Sequence, residues 1–301
     1  MKGMSPREAR HLIDQSIRLL FERLSPHILE ESFARSMGPP PDVYSERILQ
    51  VQTIAHAIAV HLHLNVRTII VGFRSNLGAA ARVELSPDSD LFVDVDSSLK
   101  YDYDLLVAIL AHEVTHIFLY RAGISYSGEK ENELLTDTAA AYLGLGAAIL
   151  NGHKTESFRI VRANYLSTEE FGYVAAARAY RFKEDLVPLL TTQDGKAALS
   201  QGLAMIKARL RRPPYVTASS LRRGLYELRT RRALKWASTA AQSPPPPSPQ
   251  VPTPGYSFAL DQGVKVRFHC AACNRGLQVP VSAGELEVRC PTCGATYRCA
   301  T

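Results

Sequence analysis

The segment from Leu105 to Tyr120, LLVAILAHEVTHIFLY, constrains the chain more than any other. It is apolar almost throughout, yet it carries His112, Glu113 and His116. An apolar run of this length at helical period is a core helix, and charge in such a setting needs a partner or a metal ion. The same three residues argue against a bilayer span. His112 and His116 are four residues apart, so on a helix both imidazoles share one face and can meet one ion. Glu113 stands beside the first of them, where a carboxylate can take a proton from a metal-bound water.

A hydrolytic metal site of this kind needs a third protein ligand and leaves its fourth position to water. The stretch NELLTD at 132 to 137 supplies one on the next helix. Glu133 is the expected ligand, with Glu131 and Glu129 next in line. Asp137, one turn further on the same face, can accept the free N–H of a ligand histidine and so fix its tautomer.

Around this pair the chain reads as an α+β fold, mostly helical with a small three- to four-stranded sheet. Residues 5 to 36 have helical periodicity, broken at Pro26. A loop at 37 to 42 leads to a second helix, 43 to 64, with Ile48, Val51, Ile54, Ala55 and Ile58 on its buried stripe. His56, His61 and His63 match no metal-site spacing and read as solvated or core-edge. Short β-branched runs at 66 to 73, 81 to 86 and 91 to 96 read as strands. The motif helix spans 103 to 121 and should end at Gly123. Another helix is expected from 129 to 150. Residues 168 to 235 look helical, with breaks near Pro188, Asp194-Gly195 and Pro213-Pro214.

All five cysteines lie at or beyond Cys270. Cys270 and Cys273 form one C-x2-C pair, Cys290 and Cys293 another, and 16 residues separate the pairs. That is a four-thiolate zinc spacing, and short β-like runs lead into each pair, as in a zinc ribbon. A module this short needs such a staple to fold. Cys299 is left as a spare thiol. The proline-rich stretch at 241 to 256 reads as an extended linker. It divides a domain at 1 to 240, with its core at about 65 to 153, from the ribbon at 257 to 301. Two zinc ions per chain are expected, one catalytic and one structural.

The residues HEVTH at 112 to 116 and NELLTD at 132 to 137, with the strand LFVDVD entering just before the motif helix, resemble the gluzincin metallopeptidases, the class typified by thermolysin. The resemblance covers about residues 65 to 150 and looks most like the compact gluzincin domains of small bacterial peptidases. It implies that His112, His116 and Glu133 are zinc ligands, Glu113 the general base and Asp137 a support behind the ligands. It also implies an edge strand that holds the substrate backbone. The loop between the motifs is shorter than in thermolysin, and that enzyme's later histidine has no clear counterpart. Tyr126 and His153 are the candidates for stabilising the oxyanion.

The implied function is a zinc metalloendopeptidase cutting a specific cytoplasmic protein, with the ribbon serving targeting or regulation. The alternative is a DNA- or protein-binding regulator, in which the gluzincin-like domain is a sensor and the ribbon or basic helices bind the partner. The charge distribution bears on both. The chain is +6 overall, and residues 159 to 235 hold 16 Lys and Arg against 6 Asp and Glu. Such helices can meet nucleic acid, an anionic membrane or an acidic partner, although a solvated basic face is the simpler reading. The N-terminal stretch MKGMSPREARHLIDQS lacks the apolar core of a signal peptide. The cysteines point to a reducing compartment, so a cytoplasmic location without a membrane span is expected.

Overall fold

Ser5 and Glu8 start the first helix as a reciprocal capping box, each side chain bonded to the other's backbone N–H. The computed structural model describes residues 5–32, 46–85, 90–153, 165–239, 255–260, 262–282 and 284–301. They fold as an α+β protein in two compact units, Met1–Leu203 and Ala204–Thr301.

In the first unit, α1 (Pro6–Arg23) buries Ile13, Ile17 and Leu20. Pro26 opens α2 (Pro26–Glu31) at its first position under a Ser25 cap, so the expected break falls there. The proline loop expected at 37 to 42 and the approach to the next helix lie outside the described residues. In α3 (Arg47–His61), Val51, Ile54, Ala55 and Ile58 are buried as expected, but Ile48 is exposed.

The sheet has three strands, in the order β1 (Thr68–Arg74), β3 (Asp90–Asp96), β2 (Ala81–Val83). β1 runs parallel to β3, and β2 runs antiparallel to it along the other side. The bonds from the Glu84 N–H to the Phe92 carbonyl and from the Asp96 N–H to the Ala80 carbonyl set the phase of the β2–β3 ladder. Residues 80, 82 and 84 therefore face β3, and the backbone groups of Ala81 and Val83 point to the edge, which pairs with no further strand among the described residues.

The motif helix α4 (Tyr103–Arg121) is capped by Asp102. It ends at Gly123, whose φ is +64°, with the Ile124 N–H bonded back to the Leu119 carbonyl. The next helix is not continuous as the periodicity suggests. α5 (Glu129–Ala140) passes through a wide turn at Ala141–Leu145 into α6 (Gly146–Gly152). The turn needs Gly144 (φ +95°), where a Cβ would sit 2.3 Å from the Ser32 carbonyl oxygen. The carbonyls that the turn frees find other donors. The Leu143 oxygen lies 2.7 Å from His61 Nε2, and the Tyr142 oxygen accepts from Arg178 Nη1 at 2.6 Å. Arg178 is fully buried on α7 (Thr168–Phe182) and forms a bidentate pair with Glu184.

α4 and the α5–α6 segment are long and apolar enough to cross a membrane, but 78% and 94% of their apolar windows are buried in the fold. Both serve as core helices here.

The second unit begins within α8 (Gln193–Leu210), not in the proline-rich stretch. Asp194 and Gly195 lie in the first turn of that helix, so the break expected near them falls just ahead of Gln193. α9 (Ser220–Thr239) follows, then the sheet β4 (Tyr256–Leu260), β5 (Val264–His269), β6 (Gly276–Pro280) and the hairpin β7 (Glu285–Arg289), β8 (Thr296–Ala300). These strands do not stand off on a tether. The Val216 N–H donates to the Arg298 carbonyl at 2.9 Å, and the Ala300 N–H to that of Pro214 at 2.6 Å. The Tyr215 hydroxyl reaches the His269 carbonyl at 2.6 Å. Tyr226 of α9 lies against Tyr256 and Phe258, with ring centroids 5.1 and 5.9 Å away. The proline-rich residues 241 to 254 are outside the described residues, but the chain on either side of them packs into one unit.

Candidate metal centres

Three donor atoms converge where α4 meets α5. His112 Nε2 is 2.9 Å from His116 Nε2, and the Glu133 carboxylate lies 3.2 Å from the first and 3.4 Å from the second. The hydrogen bonds behind the rings decide what these atoms are. His112 Nδ1 is 2.8 Å from Asp137 Oδ1, an acceptor only, so that nitrogen carries the proton. The Thr136 hydroxyl donates to the Asn132 carbonyl and takes the Nδ1–H of His116 at 3.1 Å. Each Nε2 then presents a lone pair, and two lone pairs with a carboxylate oxygen at about 3 Å repel unless a cation lies between them. Ligands about 2.0–2.1 Å from a tetrahedral ion are separated by roughly 3.3 Å. The donor set, its spacing and its tautomers therefore fit a metal ion, and the group could hold one.

Without an ion, the pocket meets the same repulsion with a proton. Burial pushes the His112 pKa down, but hydrogen bonds to Asp137 and Glu133 outweigh it and hold the value at about 10. Glu133 is drawn down to about 2, because the bonds from both histidines overcome its own desolvation. A cation, whether proton or metal, is what this pocket favours. Glu113 is buried beside it, and desolvation raises its pKa, tempered by the charges of His112 and His116.

His112, Glu113, His116 and Glu133 open onto a cleft of about 320 Å³. Its far wall is β2 and its flanks, Ala79 to Val83 with Leu85. Tyr165 completes it. This tyrosine is held by the same carboxylate that fixes His112: Asp137 Oδ2 accepts the backbone N–H groups of Tyr165 and Leu166 at 2.6 and 2.9 Å. Burial, with Glu133 nearby, raises the Tyr165 pKa and keeps its phenol protonated.

Of the two expected oxyanion groups, neither lines the cleft. The Tyr126 hydroxyl lies 3.3 Å from that of Ser16. His153 contacts the Thr168 hydroxyl at 2.7 Å and the Phe171 ring. Tyr165 and Thr136 were not singled out by sequence. The signal for Tyr165 was its place just ahead of the capping box at Ser167 and Glu170, which fixes where the chain re-enters a helix.

The second cluster is closed. Cys270, Cys273, Cys290 and Cys293 are buried, with all four sulfurs within 4.8 Å of one another. Two of the contacts, Cys270 to Cys293 and Cys273 to Cys290, are 3.6 and 3.7 Å. Four thiolates about 2.3 Å from one ion would lie roughly 3.8 Å apart. The Tyr297 oxygen accepts the Ala271 and Ala272 N–H groups, which leaves its O–H to donate to the Cys270 sulfur at 2.9 Å. That bond stabilises a thiolate. Cys299 is buried apart from the cluster, and burial pushes its thiol up to about 12.

Comparison with protein-family models, curated proteins and solved structures gave no match to this chain.

Proposed function

We propose that the chain is a zinc metallopeptidase of gluzincin type, with a structural zinc in its C-terminal ribbon. The observation that carries the reading is the convergence of His112, His116 and Glu133 beside a buried Glu113, in a cleft whose opposite wall is an open strand edge. A zinc ion held there would lower the pKa of a coordinated water toward about 7 and polarise a carbonyl. Glu113 takes a proton on its carboxylate and passes it to the leaving amine. Asp137 and Thr136 hold the two imidazoles with Nε2 toward the cleft. Tyr165 donates its O–H to the oxygen on which charge develops.

The peptide is bound by strand addition, its backbone pairing with the open N–H and C=O groups of Ala81 and Val83. Val83→Pro removes one of those donors without breaking a bond to β3, and an edge tolerates proline. It should raise KM for an unstructured peptide several-fold and leave kcat nearly unchanged, as steady-state kinetics will read. Tyr165→Phe should do the converse. One hydrogen bond to a charged group contributes about 1.5–3 kcal/mol, so kcat should fall about 10- to 100-fold at unchanged zinc content. Tyr126→Phe and His153→Gln should leave kcat near the wild-type value. The test of the function itself is metal-dependent cleavage of an unfolded protein, restored by zinc after chelation.

A further inference from the structure

We infer that α9 is a docking surface for anionic phospholipid headgroups, presented by the ribbon. The helix has two apolar seams on opposite sides. One holds Tyr226 and Thr230, both buried, and Tyr226 lies on the ribbon rings Tyr256 and Phe258. The other holds Leu221, Leu225, Leu228 and Trp236, which fall within about one quarter of the helix circumference at 3.6 residues per turn. All four are exposed, from 41% at Trp236 to 80% at Leu221. Isolated exposed leucines are ordinary, but a row of them along one face marks an interaction site.

The charges around the row identify its occupant. α9 carries six cations, Arg222, Arg223, Arg229, Arg231, Arg232 and Lys235, against one carboxylate, Glu227. On the helical wheel Arg222 and Arg229 border the row on one side, Arg231 and Lys235 on the other, and Arg232 falls within it. All of them are exposed. Long basic side chains beside Leu and Trp lay their stems on an apolar layer while their heads reach phosphates. A second copy of the chain is disfavoured, because pairing these faces would bring the same cations together. Duplex nucleic acid would satisfy the arginines but leave the leucine row in water. A negatively charged lipid surface meets both parts at once, and a helix fixed along a single seam leaves the other half free to lie on a plane. The proposal is independent of the peptidase reading, since none of these residues belongs to the His112 cluster.

Trp236 is the chain's single tryptophan, so its fluorescence reports directly on the row. Vesicles of phosphatidylcholine with about one-third phosphatidylserine or phosphatidylglycerol, added to the full-length protein, should shift its emission to the blue. They should also carry the protein up in flotation. Pure phosphatidylcholine should do neither, and the interaction should weaken steeply with added salt. Leu225→Glu should reduce vesicle affinity at least about tenfold. Arg231→Gln and Arg232→Gln should each reduce it about fivefold. All three positions are exposed, so folding, followed by circular dichroism and zinc content, should be unaffected. Equal binding to neutral vesicles, no blue shift with anionic ones, or a shift obtained with an acidic helical peptide or duplex DNA in their place would overturn the proposal. Concentration-dependent self-association that itself covers Trp236 would do so as well.

Discussion

Glu113→Gln should keep its full zinc content and lose hydrolysis by at least about 100-fold, and as much as about 10,000-fold, the range expected when a positioned acid–base group is removed. The substitution keeps the shape of the side chain and touches no donor atom. His112, His116 and Glu133 remain where they are, at 2.9 to 3.4 Å from one another. What disappears is the ability to hold and release a proton in a buried position beside the cleft. Metal analysis of the dialysed variant, together with cleavage of an unfolded protein, reads both halves of the expectation. If the variant retained turnover, Glu113 would be a core carboxylate neutralised by its surroundings, and the base would have to be another group.

Asp137→Ala should have the next largest effect, and on two properties at once. One buried carboxylate satisfies three donors, the buried Nδ1–H of His112, the buried N–H of Leu166 and the part-buried N–H of Tyr165. A buried donor left without an acceptor costs about 1–3 kcal/mol, so the loss is on the order of 3 kcal/mol or more. At about 2–4 °C per kcal/mol for a protein of this size, the Tm of the metal-free protein should fall by at least about 6 °C. Releasing the His112 ring should also weaken zinc binding about 10- to 100-fold. Thermal unfolding in chelator measures the first and competition with a zinc-binding dye the second. A lower Tm at unchanged zinc affinity would show that Asp137 anchors the chain at residues 165–166 and does nothing for the metal site.

The members of the His112 cluster were legible in sequence because helical spacing sets them in two pairs, which the packing of α4 against α5 then brings together. HEVTH fixes two donors on one face, and NELLTD fixes Glu133 and Asp137 on another, whatever the rest of the chain does. Local signals also placed the break at Pro26 and the stop at Gly123. The four cysteines were legible for the same reason, as two short loops of fixed spacing. What could not be read depends on partners far along the chain. The expected helix from 129 to 150 is interrupted at Gly144, where Ser32 and His61 leave no room for a Cβ, and nothing near residue 144 records that. Tyr165 enters the cleft through bonds to a carboxylate 28 residues away. The tyrosines at 215 and 226 sit in a stretch that reads as basic helix, yet they seat the ribbon strands. That contact also alters how the ribbon can be tested. Ending the chain near residue 240 would strip Tyr215 and Tyr226 of their cover, so loss of function after such a truncation would not distinguish targeting from unfolding.

The central claim, a zinc held by His112, His116 and Glu133 and used for hydrolysis, is tested most directly by metal stoichiometry in the intact chain. The measurement is zinc per polypeptide by mass spectrometry of the purified full-length protein and of His116→Ala, alongside cleavage of an unfolded substrate. Two zinc ions in the wild type, one in the variant and turnover only in the former would bear the account out. A wild type with a single zinc that His116→Ala retains would contradict it, leaving the ribbon as the protein's one metal site.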